Sequence, residues 1–382
     1  MLVATLCAIY AALLLFKAAM VSWEVRRQRH AEHGKHKGRV AVTILQAILS
    51  GDPGLERVLE DNLETLSEAK FLWLIDLDDA VAQAIARRLL ARHPTRMISI
   101  MELPECPAGI NPKAFKLDMA LCQVASEALL VLDDDSRLSA DALEAILSEL
   151  DSAELCTALP CYRDDRKFAT RLLAQFVNNN AALTYLPLLP AMAPVTINGM
   201  CYGVRCDYLR ALGGFDRIRN VLTDDLAMAE LVRSHGGRIR QSIAMVEVQT
   251  TVRDFKHYVQ QMHRWYLFAL LLFARQSIGL NVVLGLLYAA HPLVLWASII
   301  CAVVNPSATS LLALAALLAF RATAVCLLQK TLTGRVRMRP ITSLISELAQ
   351  PFHFLHALCY RTIRWRKRKY HVRANDTFVP CS

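Results

Sequence analysis

Three apolar stretches, Met1 to Trp23, Leu280 to Val304 and Leu311 to Leu328, restrict this chain more than any other feature. Each is long enough to cross a bilayer as a helix, for which about 20 apolar residues suffice. The short Asn305-Pro306-Ser307 turn makes a helical hairpin of the last two. A hydrophobic content of 54% and a mean hydropathy of +0.31 agree with a membrane protein. A cleaved signal peptide fits residues 1 to 23 poorly, because the positive residues follow the apolar run instead of preceding it. The net charge of +9 is concentrated in Arg26-Arg27-Gln28-Arg29 with Lys35 and Lys37, and again between Arg361 and Arg373. Basic clusters beside apolar segments favour a lipid surface and argue against nucleic acid as a partner. By the positive-inside rule the basic linker 24–39 is cytosolic and the N-terminus lies outside. Arg321 falls inside the third stretch, where insertion costs at least about 2.5 kcal/mol, so it should face protein, water or a lipid headgroup. A further span over Leu344 to Cys359 would export Arg361 to Lys369. An interfacial or re-entrant helix is therefore expected there, followed by a basic cytosolic tail. The eleven cysteines contain no CxxC pair and read as small core residues in a reducing compartment.

Between the membrane segments, residues 40–265 read as one α/β domain. Val40 to Leu49 is a strand, and the Gly51-Asp52-Pro53-Gly54 turn opens a helix with Leu55, Val58, Leu59 and Leu63 on one face. Phe71 to Ile75 is a second strand, ending in Asp76-Leu77-Asp78-Asp79 before a helix from Ala80 to Arg92. Met97 to Met101 and Leu129 to Leu132 are the third and fourth. Strands alternating with helices imply parallel βαβ units, whose ligands bind beyond the carboxyl ends of the strands. Both acidic clusters, at Asp76 to Asp79 and at Asp133 to Asp135, lie at such ends.

Leu130-Val131-Leu132 stops at Asp133-Asp134-Asp135, three like charges that a cation would relieve at a buried strand end. Asp133 and Asp135 are hard oxygen ligands suited to Mg2+ or Mn2+ holding a sugar-nucleotide diphosphate. A solvated acidic loop, or a helix start near Ala140 capped by a serine, is the competing reading. Lys113, in Gly109-Ile110-Asn111-Pro112-Lys113, is either a phosphate contact or a solvated lysine at a helix start. Asp224-Asp225 follows Thr223, a candidate cap of a helix carrying Met228, Leu231 and Val232. The two acids either complement the helix dipole or provide in Asp225 a general base for an attacking hydroxyl. Gln260-Gln261-Met262-His263-Arg264-Trp265 precedes the apolar Tyr266 to Phe273. It is either an interfacial anchor or the acceptor side of the crevice.

In order and spacing, Asp79, Asp133 with Asp135, Asp225 and Gln261-x-x-Arg264-Trp265 resemble the D, D, D, (Q/R)xxRW pattern of membrane-bound inverting glycosyltransferases. The closest likeness is to the ceramide glucosyltransferase family, over nearly the whole chain. That family shares the Gly51-Asp52-Pro53 turn, the Gly109 to Lys113 segment, Asn198-Gly199-Met200 and a basic tail like the one carrying Trp365. The resemblance implies a GT-A-type nucleotide-sugar-binding domain with transmembrane and interfacial helices. It implies UDP-glucose as donor, a ceramide-like membrane lipid as acceptor, and a cytosolic catalytic domain at a bacterial inner membrane or at the Golgi or ER membrane. By position, Asp79 would contact the uridine, Lys113 the nucleotide, and Asp133 and Asp135 the metal and diphosphate. Asp225 would be the base, and Gln261, Arg264 and Trp265 would complete the site at the membrane face. The chain departs from the family around Gln46 to Ser50, at Asp224-Asp225 in place of Glu-Asp, and at Asn178 to Ala181, where animal enzymes carry a histidine. Other UDP-sugars (glucuronate, galactose, an N-acetylhexosamine), a hopanoid or polysaccharide acceptor, and a catalytically silent membrane scaffold are the rival readings.

Overall fold

The computed structural model describes residues 1–32, 40–164, 167–365 and 368–381. Lys35 and Lys37 of the first basic cluster lie outside them. In chain order the elements are α1 (Leu2–Glu32), β1 (Val42–Ile48), α2 (Leu55–Thr65), β2 (Lys70–Asp76), α3 (Ala80–Arg92), β3 (Ile98–Leu103) and α4 (Pro112–Leu121). Next come β4 (Ala128–Leu132), β5 (Ser136–Leu138), α5 (Ala140–Glu149), β6 (Leu155–Tyr162), α6 (Phe168–Tyr185), β7 (Cys201–Arg205), α7 (Cys206–Ala211), α8 (Asp224–Ser234) and β8 (Ile239–Val248). The remainder is α9 (Phe255–Phe273), α10 (Ile278–Leu284), α11 (Ala290–Val304), α12 (Ala308–Thr333), α13 (Pro340–Cys359), β9 (Thr362–Trp365), β10 (Arg368–Ala374) and β11 (Thr377–Cys381).

The chain divides into two compact units: residues 30–163, 192–251 and 362–382 in one, and 1–29, 164–191 and 252–361 in the other. The expected domain 40–265 is thus interrupted, and the expected tail contributes to the sheet unit. α9 runs unbroken through position 265, and α6 and α9 bury themselves against α13. These are contacts between segments remote in sequence, which local periodicity does not register.

The sheet unit is built on eight strands in the order β3-β2-β1-β4-β7-β6-β8-β5. β3, β2, β1 and β4 run parallel, as their alternation with helices implies. The other half is mixed, with β7 antiparallel to β4 and β6, and β5 antiparallel to β8. A parallel strand covered on both faces reads as a continuous apolar run, and every residue of β1 is buried. Its alternate side chains feed two cores. Ile44 and Ile48 join Leu59, Trp73, Leu130 and Ile146 on one face, while Leu45 joins Leu117, Val131, Tyr202, Phe215 and Met228 on the other. The buried polar side chain Gln46 accepts a hydrogen bond from Trp73 Nε1 at 2.9 Å. A second sheet, β11-β10-β9, is antiparallel.

In the helical unit, among the described residues, three helices are long and apolar enough to cross a membrane: Leu2–Ala31, Ile278–Val304, in which a π-helical turn at Gly285–Ala289 joins α10 to α11, and Ala308–Thr333. The first is longer than the expected 1–23 because the helix continues through its basic end. Arg321 faces protein: its Nε donates to Glu347 Oε2 at 2.5 Å and a terminal nitrogen to Ser343 O. Tyr10 donates to the other Glu347 oxygen at 2.8 Å, and Lys17 donates to Leu287 O at 2.8 Å. α13, not among the candidate spans, is held by polar contacts along its length. Asn179 donates to Ser343 Oγ, Ser346 to Leu172 O, and Trp296 to Leu348 O, while Tyr258 and His353 share a hydrogen bond of 3.0 Å.

Candidate active site

Within the sheet unit the carboxyl ends of β1, β2 and β4 meet at one edge, and backbone amides join the two acidic clusters there. Leu49 N donates to Asp134 Oδ2 at 2.7 Å and Ser50 N to Asp79 Oδ2 at 2.8 Å. Asp79 also caps α3 by accepting from Ala82 N. Burial opposes its charge, but the Ser50 and Ala82 amides with nearby Lys116 prevail and hold it below the ordinary carboxylate range. The Asp76 carboxylate pairs at 2.9 Å with Lys116, itself buried.

Lys113 is the centre of the acidic edge. Pro112 sits in the first turn of α4 and Asn111 caps it, accepting from the Lys113 and Ala114 amides, so the lysine leaves a fixed helix start. Its Nζ donates to Asp133 Oδ1 at 2.6 Å and to Gly199 O at 2.7 Å, and lies 3.7 Å from Asp224 Oδ2. Burial works against this charge, yet Asp133 and Asp224 outweigh it and raise the lysine's pKa. The ladder between β4 and β7 explains the carbonyl. Asp133 N donates to Met200 O, which extends the pairing to the Asn198-Gly199-Met200 turn. A Cβ on Gly199 would sit 3.1 Å from the Asp225 Cβ, so glycine lets the two segments lie close without shifting Asp225. The structure therefore brings Lys113, Asp133, Asp224 and Asp225 together.

Asp135 lies beside them, accepting from Thr250 Oγ1 at 2.6 Å and from Ser136 Oγ at 3.2 Å. Burial first, then the Asp133 charge, pushes it up to about 6. Thr251 binds Asp52 through both its amide and its hydroxyl, each at 2.8 Å. The two threonines after β8 thus tie the Gly51-Asp52-Pro53 turn to the acidic edge. Neither threonine, nor Asp224, was a candidate from sequence alone. A Thr-Thr pair at a strand end carries no signal until β8 is placed.

Asp224 and Asp225 open α8. Thr223 stands at the cap position, but its hydroxyl does not cap the helix; it donates to Asn375 Oδ1 at 2.6 Å. Asp225 is half-buried and accepts from Leu226 N. Burial, then the neighbouring Asp224 charge, pushes its carboxyl up to about 7. A carboxylate so tuned can take a proton from a hydroxyl near neutral pH. Ser139 caps α5, whereas Ser136 belongs to the short strand β5, so the acid run ends in a strand before any helix begins.

Gln261, Arg264 and Trp265 belong to α9 of the helical unit, at i, i+3 and i+4 spacing on one partly exposed face. Trp265 stacks on Phe176 with ring centroids 6.1 Å apart. Asn179, in the segment where the resemblance has a histidine, donates to Ser343 and accepts from Gln329. Among the described residues, the close triad of potential metal ligands is Glu60, Glu64 and His93. Glu60 there is already bound by Arg92 at 2.6 Å, and Asp133 and Asp135 are not members.

A family model described as glycosyl transferase family 21 matches residues 5–378. Comparison with curated proteins gives no match. Among solved structures, the mannosyltransferase PcManGT from Pyrobaculum calidifontis, in complex with GDP-Man and Mn2+, is similar at 18% identity and a TM-score of 0.49. That alignment covers 90% of this chain and 99% of the other. GalNAc-T7 with UDP, GalNAc and Mn2+ is similar at 8% identity and a TM-score of 0.43, over 61% of this chain and 51% of the other. The family match spans nearly every element described above, the acidic strand ends and the apolar helices included: the chain belongs to glycosyl transferase family 21, a glycosyltransferase that joins an α/β domain to helices apolar enough to span a membrane.

Proposed function

We propose that this glycosyltransferase transfers glucose from UDP-glucose to the primary hydroxyl of ceramide or a related long-chain amino-alcohol lipid, with inversion at the sugar carbon. The observation that carries the reading is the Lys113 ammonium held between Asp133 and the Gly199 carbonyl, beside the Asp224-Asp225 pair. In the reaction Asp225 accepts the hydroxyl proton and the acceptor oxygen bonds to the anomeric carbon. The bond from that carbon to the β-phosphate oxygen breaks, and UDP leaves with the electron pair. One in-line displacement inverts the centre. Asp79 is assigned to the uridine and Lys113 to the nucleotide phosphates. Gln261, Arg264 and Trp265 are assigned to the acceptor step, Arg264 offsetting charge on the departing diphosphate.

A divalent cation, Mg2+ or Mn2+, fits the donor set. Asp133 and Asp135 offer hard oxygens at a buried strand end, where a cation would offset the charge that Asp133 places on Asp135, the second cause of its upward shift after burial. When bound it would neutralise the diphosphate. α13 is assigned to the membrane surface, where the exposed Ile341, Phe352 and Leu355 meet lipid, with the catalytic domain in the cytosol.

The test is a product assay by mass spectrometry on detergent-purified protein with ceramide and Mn2+ or Mg2+. UDP-glucose, UDP-galactose, UDP-glucuronate and UDP-N-acetylglucosamine are supplied separately. A hexose gain on ceramide with UDP-glucose alone is the expected result. Gain with another donor overturns the sugar, and UDP binding without any ceramide product overturns the acceptor.

A further inference from the structure

The sequence presents residues 362–381 as a basic tail, yet in the sheet unit the turn between β10 and β11 reaches the segment that leads into the candidate base. β10 and β11 pair through Ala374 and Thr377 across the two-residue turn Asn375-Asp376, and Tyr370, Val372 and Phe378 are buried behind it. The turn is driven into the structure by its asparagine, which is only 1% exposed. Asn375 Oδ1 accepts from Thr223 N at 2.8 Å and from Thr223 Oγ1 at 2.6 Å, and Asn375 O accepts from Leu222 N at 2.8 Å.

These three bonds hold the two residues immediately before Asp224 and Asp225. The same segment is gripped from its other side by Asn111, fully buried, whose Nδ2 donates to the Val221 and Leu222 carbonyls. Asn111 is the cap of the helix that delivers Lys113. The start of α8 is therefore set between two buried asparagines, one referencing the lysine and the other the C-terminal hairpin. Buried, doubly engaged polar groups of this kind fix backbone position better than packing alone, and a catalytic carboxylate needs placement within a fraction of an ångström.

We propose that Asn375 is a positioning residue for the glycosyl transfer, and that the β9–β11 sheet is the strut that holds the general-base end of α8 in register with Lys113. It touches no reacting atom; it acts through Thr223. This rests on the reading of Asp225 as the base.

The experiment compares Asn375→Ala, Asn375→Asp and Asp225→Asn in the full-length protein in detergent. Turnover is measured with the productive donor and acceptor, UDP binding with Mn2+ by calorimetry, and folding by thermal melting. Asn375→Ala should lower kcat about 10- to 100-fold, the cost of a misplaced catalytic group, with the Kd for UDP within about twofold of the native value. Asn375→Asp keeps an oxygen that accepts from Thr223 and replaces the amide nitrogen, which has no partner among the described residues, by a second carboxyl oxygen; at so buried a position near Asp224 and Asp225 the new carboxyl is held in its protonated, neutral form. This variant should recover most of the lost kcat. Native kcat in Asn375→Ala overturns the proposal. So does an equal fall of kcat and UDP affinity in both Asn375 variants, which would make the hairpin a general brace of the fold. An inactive Asp225→Asn beside a fully active Asn375→Ala removes the strut alone, whereas a fully active Asp225→Asn removes the base assignment itself.

Discussion

As the proposed base, Asp225 would set the pH at which the chemistry runs. Its carboxyl is raised from the ordinary carboxylate range to about 7 by burial and by Asp224. The base works only when deprotonated, so kcat/KM is expected to rise with pH and level off above about 7, reporting the Asp224-Asp225 pair as a unit. Stability has the opposite sign: the folded state holds this proton more tightly than the unfolded chain, and that contribution fades as pH rises through about 7. Initial rates across a pH series check the first statement. A flat profile through neutrality would remove Asp225 from the proton transfer. At this scale the sequence marks the acids well, because consecutive carboxylates after an apolar strand stand out. It does not show that Lys113 is their shared partner, since that depends on a ladder between β4 and β7 whose partners, such as Leu132 and Cys201, are remote in the chain.

At the scale of elements, α3 is found from Ala80 to Arg92 as its sequence implies, and β1, β2 and β4 lie within a residue or two of their expected ends. Their strongly apolar runs leave little choice. β6 and β8 are another matter. β8 carries Gln241 and Ser242, both buried, and Gln241 Nε2 finds its acceptor on Thr157 of β6. Polar residues like these read as loop until the pairing that satisfies them exists. The Gln46–Trp73 bond between β1 and β2 gives a test of the same rule. Trp73→Phe should destabilise the protein by about 1–3 kcal/mol by leaving the Gln46 carbonyl buried without a partner. Gln46→Leu with Trp73→Phe should recover part of that loss, as read by a double-mutant cycle in denaturant. An unchanged midpoint for Trp73→Phe would show that the bond contributes nothing.

Over the whole molecule, the apolar helices and the charges flanking them select a membrane protein before any contact is known. The partner of Arg321 is decided later in the chain, by Glu347 on α13. Removing one side of a buried ion pair strands the other: Arg321→Leu should cost about 3–5 kcal/mol, and Arg321→Leu with Glu347→Leu should restore much of it. Thermal melting in detergent checks both. If the double variant is no better than the single one, the pair is not what holds α13 to α12.

The sequence by itself determined the membrane segments, the parallel half of the sheet and the acidic strand ends, because each is written in a local run of apolar or charged residues whose burial has one solution. Tertiary structure alone decided that α6 and residues 252–361 belong to the helical unit, that the C-terminal residues form a sheet against the start of α8, and that one lysine binds two of the acidic segments. These follow from hydrogen bonds between residues 20 to more than 150 positions apart, such as those of Thr223 with Asn375 and of Lys113 with Asp133 and Gly199. A polar side chain does not announce its partner until the backbone has brought the two together.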